Sequence, residues 1–444
     1  MSLAERPRLR LLTFCLLYAA QGIPWGFMAT TLPAYLTKRG LDAGFVGAAL
    51  AFTTLPYTFK WIWGPIIDTY TLPRFGRRRP WIIFAQGMMA VTLVALIAIP
   101  DLTIEVRMLA WMIFLHTVFN ALQDVAVDAL AVDLLTDEER GRANGLMYGS
   151  KYFGGIFGGA GMAYVIASSG LRTALLLQTA ILVAIMFVPL LVKESNTPPP
   201  PRTPGRELAR SLGQAFSLRS TLVAAVLMLG MNFAIGVISA TGYALFVGAL
   251  GWKPESYTAI TGGWGLVVGG SAAMLTGFIL DRFGRRPVAA VASLALAGGW
   301  IVFALGRGSW TDLTFVRTLA FYEAAATGVL SVSLIALCMD LSWTKIGGSQ
   351  FAAYMALSNF STTLGYQFSA RAQELWDWHG IYLVAAVCQV VMTFVLLPID
   401  PTQTKRELTD ATKINQLGVA ALLALLVFLI GMTTYVTMKR LGYI

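Results

Sequence analysis

The sequence predicts an all-α membrane protein built from a duplicated set of spanning helices. Three observations favour this fold class. Hydrophobic residues make up 57% of the 444 residues and charged residues only 13%, whereas soluble domains average about 25% charged residues. Long apolar segments recur along the chain, and one short basic motif occurs twice, each time between two such segments. Together they exclude an ordinary soluble globule.

The apolar segments have the length and pattern of spanning helices. A run of about 18 or more apolar residues is needed, because the hydrocarbon core is about 30 Å thick and each helical residue rises about 1.5 Å. None of the segments alternates with the period of a transmembrane strand. An additional segment at 417–437 predicts an accessory C-terminal helix. The twelve predicted spans are 11–36, 44–67, 81–100, 107–132, 144–168, 171–192, 220–249, 258–280, 287–306, 314–339, 350–370 and 380–399.

A polar, basic and proline-rich stretch divides these spans into two groups of six. It covers 193–219 and contains four consecutive prolines, a composition typical of an extended linker. We therefore expect an N-terminal six-helix bundle at 1–192, the first half, and a C-terminal six-helix bundle at 220–399, the second half. Residues 400–444 would form a cytoplasmic segment and the accessory helix.

The positive charges predict how the chain is oriented. With a cytoplasmic N-terminus, 21 Lys and Arg residues lie on the inner side and eight on the outer side, and the other four lie in spans or at the C-terminus. Cytoplasmic loops of membrane proteins carry such an excess, so the N-terminus is predicted to be cytoplasmic. The net charge of +10 then requires no nucleic-acid partner.

The repeated motif is the most specific signal. In the second half, the pattern G-x-x-x-D-R-x-G-R-R resembles the signature loop of the major facilitator superfamily. Its defining residues are Gly277, Asp281, Arg282, Gly284, Arg285 and Arg286. The first copy carries an insertion at 69–73, and its corresponding residues are Gly64, Asp68, Arg74, Gly76, Arg77 and Arg78. Arg74 and Arg282 are 208 positions apart, and Asp133 and Asp340 are 207 apart. We expect both loops to act in gating and Asp133 to be an inner gate residue.

Further stretches of the first half resemble AmpG-type permeases and the related acetyl-coenzyme A transporters. They are the insertion itself, the stretch 55–65 before it, 21–26 in the first span, 123–135 in the fourth and 137–141 in the following loop. The resemblance implies proton-driven import of muropeptides across a bacterial inner membrane, or movement of an acyl-coenzyme A.

The fourth predicted span carries a pair of carboxylates. Asp124 and Asp128 are four residues apart, so they lie on one helix face, next to Gln123. Ionised carboxylates are costly in hydrocarbon and should face the bundle interior, near Lys60 or Lys151. We expect one of the two aspartates to carry a coupled proton. A static ion pair that orients helices is the alternative, and Lys151 would also suit snorkelling to the interface.

Other polar or aromatic residues within the spans are candidates for the cavity. Glu323 is a second proton candidate, since it is the only carboxylate well inside a span of the second half. Hydrogen bonds between helices, or interfacial packing of Trp25, would explain the others equally well. The candidates for substrate binding, besides Lys60, Gln123 and Lys151, are Gln21, Trp25, Asn232, Tyr243, Asn359 and Tyr366.

These signals favour a secondary transporter over an enzyme. The two histidines are distant in sequence and have no nucleophile or metal-ligand pattern near them, no P-loop is present, and neither a metal nor a cofactor is predicted. We expect a monomer in a bacterial inner membrane that couples protons to a polar solute such as a muropeptide by alternating access. Siderophore or acyl-coenzyme A transport is the alternative, and a non-transporting receptor or assembly factor is the alternative of another class.

Overall fold

The computed structural model describes residues 2–39, 55–72, 75–99, 106–196 and 204–408, with isolated positions between 420 and 431. Within these ranges the chain is helical and has only two isolated bridges, so the all-α prediction is confirmed. Four predicted features lie outside the described residues: the 44–54 part of the second span, Arg74 of the first motif, the four consecutive prolines of the linker, and most of the segment 417–437.

Where they are described, the helices of the first half cover the predicted spans, and the helix of the fifth span begins earlier than predicted, at Asp137. A π-turn at Phe27–Thr31 follows α1, which contains Pro24, and a second at Phe157–Gly161 joins α7 to α8. The helices are α1 (Pro7–Gly26), α2 (Leu32–Lys38), α3 (Leu55–Thr58), α4 (Lys60–Thr69), α5 (Arg79–Ile97), α6 (Val106–Leu134), α7 (Asp137–Ile156), α8 (Met162–Ser169) and α9 (Leu171–Leu191).

The helices after α9 repeat this arrangement, beginning with an amphipathic helix in the predicted linker. Further π-turns at Ala244–Ala249 and Ala259–Trp264 extend α12 and precede α14. The helices are α10 (Gly205–Ala215), α11 (Arg219–Gly230), α12 (Phe233–Tyr243), α13 (Pro254–Thr258), α14 (Gly265–Phe283), α15 (Arg285–Leu305), α16 (Leu313–Leu341), α17 (Gly347–Leu375), α18 (Trp378–Leu396) and α19 (Gln403–Glu407).

By length and composition, nine segments of the described chain are apolar enough to cross a membrane. The predicted spans 144–168 and 350–370 are present as helices but are too polar or glycine-rich to be counted among them, and 44–67 is only partly described. The nine are Pro7–Leu36, Arg79–Ile97, Met108–Leu134, Leu171–Leu191, Arg219–Ala249, Ser256–Phe283, Arg285–Leu305, Leu313–Leu341 and Trp378–Leu396.

Helices α7 and α17 can be more polar than the other helices, because each of them packs against helices of both predicted halves. Helix α7 packs along both α1 and α14, and α17 packs along α4, α12 and α11. At the α7–α14 contact, a Cβ on Gly145 would lie 2.8 Å from the Cα of Gly277, so only glycine permits this approach. These helices face protein along much of their length and need less apolar surface.

Candidate functional site

Asp124 is the centre of a buried charge cluster formed by three helices. It projects from α6, where its side chain is 5% exposed. The Nζ of Lys60 in α4 binds Oδ2 of Asp124, and the Nζ of Lys151 in α7 lies 3.1 Å from Oδ1. One carboxylate therefore holds two ammonium groups, and Lys151 reaches into the protein.

Asp128 lies one turn further along α6 and has a different environment. The hydroxyl of Tyr18 in α1 donates a hydrogen bond to its Oδ1. Among the described residues, no Lys or Arg forms a salt bridge with Asp128, although both lysines of the neighbouring aspartate act on it electrostatically. The two carboxylates that looked equivalent in sequence are thus held by different partners.

Tyrosine rings surround the two lysines. Lys60 Nζ lies 5.1 Å from the ring centre of Tyr57, and Lys151 Nζ lies 5.8 and 5.9 Å from those of Tyr18 and Tyr148. Such distances allow cation–π attraction, which adds to the ion pairs in a desolvated site. Sequence reasoning missed these tyrosines. Their only signal is helical spacing, since Tyr148 precedes Lys151 by three residues on α7.

A cavity of about 120 Å³ borders the charge cluster and joins the two halves of the chain. The first half contributes both lysines and both aspartates. The second half contributes polar groups from α17, including Asn359, and Asn232 before α12, whose Nδ2 donates to Ser358 Oγ over 2.5 Å. The structure therefore brings Lys60, Lys151, Asn232 and Asn359 to one cavity, and their role in binding a solute stays a prediction.

The remaining predicted residues lie away from this cavity. Gln21 and Gln123 are buried in packing, and the Gln123 amide donates to the Leu17 carbonyl oxygen over 3.4 Å. Trp25 lies over Gly155, while Tyr243 and Tyr366 are about half exposed. A role for these five residues in substrate binding stays a prediction.

Glu323 is not part of the charge cluster. It projects from α16 into a separate cavity of about 320 Å³, which is lined by the second half and by Tyr152 of the first half. The two groups of predicted proton candidates are therefore spatially distinct sites.

The first basic motif forms a network at one end of the helices, here called the basic end. Asp68 lies in the last turn of α4 and accepts hydrogen bonds from the backbone N–H and the hydroxyl of Ser349 at 2.6 and 2.7 Å. Arg78 lies 2.7 Å from Asp68 and 2.8 Å from Asp133, and its side chain is fully buried. Arg77 donates to the Lys345 carbonyl oxygen over 3.0 Å. The motif thus binds α4 to the start of α17.

The second motif repeats the design with different partners. Asp340 pairs with Arg285 at 3.2 Å and with Arg140 at 3.0 Å, as Asp133 pairs with Arg78. Asp281 is exposed and accepts hydrogen bonds from the backbone of Gly141 and Arg142. Partial burial disfavours the charged form of Asp137, but Lys405 and Arg140 hold its pKa below the ordinary value. Both halves therefore close against each other at the basic end.

Replacing Asp68 with Asn should loosen this closure. The change removes the charge between two arginines while Asp133 still pairs with Arg78. We expect a cysteine placed at Asn359, in a variant lacking Cys15, Cys338 and Cys388, to react about fivefold or more faster with an impermeant maleimide added at the basic end. Asp281→Asn is the matched control and should change the rate less, because Asp281 is exposed. An unchanged rate in the Asp68 variant would show that these ion pairs do not hold the end closed.

The repeated motif, the helix order and the paired networks can be compared with known proteins. The family model described as Major Facilitator Superfamily matches residues 12–366. The chain belongs to the major facilitator superfamily. It is 25% identical over 424 residues to the anhydromuropeptide permease of Escherichia coli strain K12. The matched region covers 93% of this chain and 82% of that protein.

Solved structures of this superfamily confirm the fold. The proton:xylose symporter XylE, bound to 6-bromo-6-deoxy-D-glucose, matches with a TM-score of 0.67 and 15% identity over 92% of this chain and 98% of its own. The transporter FucP in the outward conformation matches with a TM-score of 0.68 and 12% identity, over 88% of this chain and 98% of its own. The chain is therefore a multi-pass membrane protein with the fold of a superfamily transporter.

Proposed function

We propose that this protein is a proton-coupled symporter that imports a muropeptide-like solute across the inner membrane of a bacterium. The observation that carries the proposal is the unequal sharing of charge in the cluster. Asp124 holds both lysines, whereas Asp128 is held by a tyrosine hydroxyl. The likeness to the anhydromuropeptide permease, which extends over most of both chains, supports the substrate class.

The charges of the cluster supply a coupling mechanism. With both carboxylates ionised, two aspartates balance two lysines, and the site is neutral. A proton on Asp128 leaves an excess of one positive charge beside a closed, low-dielectric cavity, where such a charge is costly without a partner. A carboxylate of the solute would then be attracted to Lys60 or Lys151. Proton and anionic solute therefore favour each other's binding, which is the requirement for symport.

The basic end supplies the gate in this proposal. If the N-terminus is cytoplasmic, as the distribution of positive charge indicates, the networks around Asp68 and Asp340 close the cytoplasmic side. A cavity of about 120 Å³ is too small for a sugar-peptide, so the solute would enter after the opposite side opens further. The two six-helix halves, 1–192 and 220–399, would rock about this site in a monomer.

Uptake into vesicles tests the proposal. Vesicles that contain the protein should accumulate radiolabelled anhydromuropeptide when an inward proton gradient is imposed, and a protonophore should abolish the accumulation. Empty vesicles give the background. A siderophore and an acyl-coenzyme A are the comparison solutes, and preference for either would overturn the muropeptide assignment. No uptake of any of the three by correctly inserted protein would favour the receptor alternative.

A further inference from the structure

The cavity around Glu323 has a distinct chemistry from the one around Asp124. It lies among α12, α14, α15 and α16 and encloses about 320 Å³. Aromatic rings dominate its walls and pack on one another, with the Phe303 and Tyr382 centroids 4.4 Å apart. The aromatic residues that matter here are Phe246, Trp252, Tyr257, Trp300, Phe303 and Tyr382.

Glu323 places a carboxyl group in this aromatic cavity with no basic partner. Its side chain is partly exposed, toward the cavity. Among the described residues, no Lys, Arg or His lines the cavity or forms a salt bridge with Glu323. Lys253 and Arg317 line a neighbouring cavity of about 640 Å³ that shares Trp252 and Ile260 with it. A carboxylate in such surroundings is costly unless it takes up a proton or a counter-charge arrives from outside the chain.

Trp300 is the polar neighbour of the Glu323 carboxyl group. Its side chain is 2% exposed, and in the described part of the chain its indole N–H makes no well-formed hydrogen bond. The indole nevertheless lies near the Glu323 carboxyl and interacts with it. The indole N–H is a neutral donor, so it can stabilise the carboxylate but does not balance its charge.

The aromatic lining and the carboxyl group indicate which ligand charge the cavity favours. Aromatic faces carry negative potential and attract cations placed within about 6 Å of a ring centre. A carboxylate adds a full negative charge at the same place. We propose that the Glu323 cavity binds a primary ammonium group of the transported solute, an inference that rests on the proposed transport function.

The position of the Glu323 cavity beside the Asp124 cavity indicates how the whole solute would bind. Tyr148 lines the Asp124 cavity and Tyr152 lines the Glu323 cavity, and their ring centres are 6.1 Å apart. On the opposite wall, Asn232 and Ser239 border the two cavities and are seven residues apart, a rise of about 10 Å in a helix. The solute would be zwitterionic, with its carboxylate near Lys151 and its ammonium group near Glu323.

Calorimetric binding to the purified full-length protein in detergent tests the site. The probes are n-pentylamine, which is protonated at pH 7, and 1-pentanol, which has the same chain without the charge. We expect the amine to bind at least about tenfold more tightly than the alcohol. Glu323→Gln should remove that preference and leave the alcohol unaffected. Tyr257→Phe should retain it, whereas Tyr257→Leu should weaken amine binding, because only the first keeps a ring.

Equal binding of the two probes, or a preference that survives in Glu323→Gln, would overturn the ammonium site. Loss of coupling in that variant together with equal probe binding would assign Glu323 to proton transfer instead. The transport proposal can fail separately. If wild-type vesicles do not accumulate muropeptide but the protein still binds the amine more tightly than the alcohol, the ammonium site is supported and muropeptide is rejected as the solute.

Discussion

Vesicles containing Asp128→Asn are expected to lose proton-driven accumulation of solute while still exchanging labelled for unlabelled solute. The asparagine accepts the Tyr18 hydrogen bond but cannot take up a proton, so binding of the solute no longer depends on the gradient. We expect accumulation to fall about tenfold or more, within the usual range of coupling free energies, and exchange to stay within about twofold of wild type. Uptake under an imposed gradient and counterflow without one measure the two quantities.

Asp128→Glu is the matched control for this prediction. Glutamate keeps an ionisable carboxyl near Tyr18, so gradient-driven accumulation should be partly retained. If Asp128→Asn accumulated solute as the wild type does, Asp128 would not carry the proton. Loss of both accumulation and exchange would instead indicate that Asp128 serves binding alone.

The largest effect on stability is expected for Asp124→Asn. The change leaves the ammonium groups of Lys60 and Lys151 without their shared counter-ion. Breaking a buried ion pair in this way costs about 3–5 kcal/mol. Lys60→Met should cost less, because Lys151 still pairs with Asp124 at 3.1 Å. Thermal unfolding of the purified protein in detergent, followed by tryptophan fluorescence, compares the two.

A triple variant separates charge from shape. Asp124→Asn combined with Lys60→Met and Lys151→Met removes the two ammonium groups that the single change leaves unpaired, and Asp128 can become neutral by taking up a proton. The triple variant should therefore recover most of the stability that Asp124→Asn loses. The electrostatic explanation would be wrong if the triple variant were as unstable as the single one. It would also be wrong if Lys60→Met destabilised as much as Asp124→Asn.

Much of the fold could be predicted from the sequence, because the membrane imposes strict rules on length and polarity. The spans, the linker and the repeated motif follow from hydropathy and from an offset of about 208 residues. The equivalence of Asp133 and Asp340 also follows from it. In the structure they pair with Arg78 and Arg285, respectively, in corresponding networks. Asp124 and Asp128 could also be predicted to lie on one helix face, because they are four residues apart.

The partners of these residues could not be predicted, since they depend on how distant helices are rotated. Sequence alone did not decide whether the carboxylates form a static ion pair or carry protons. In the structure Asp124 forms the ion pairs with both lysines, whereas Asp128 accepts a hydrogen bond from Tyr18. In the proposed mechanism Asp128 would therefore carry the proton. The placement of Glu323 in another cavity likewise depends on the packing of α16 against α14 and α15.

The contact between Gly145 and Gly277 also has a kinetic consequence. Because backbone meets backbone there, no side chains interdigitate that would have to leave one set of rotamers for another when the helices part. Separating α7 from α14 then requires breaking the ion pairs at the basic end, of which the buried Arg140–Asp340 pair is screened little by dissolved salt and the exposed Lys405–Asp137 pair is screened more. The rate at which this end opens should therefore depend only weakly on ionic strength on that side of the membrane, chiefly through the Lys405–Asp137 pair.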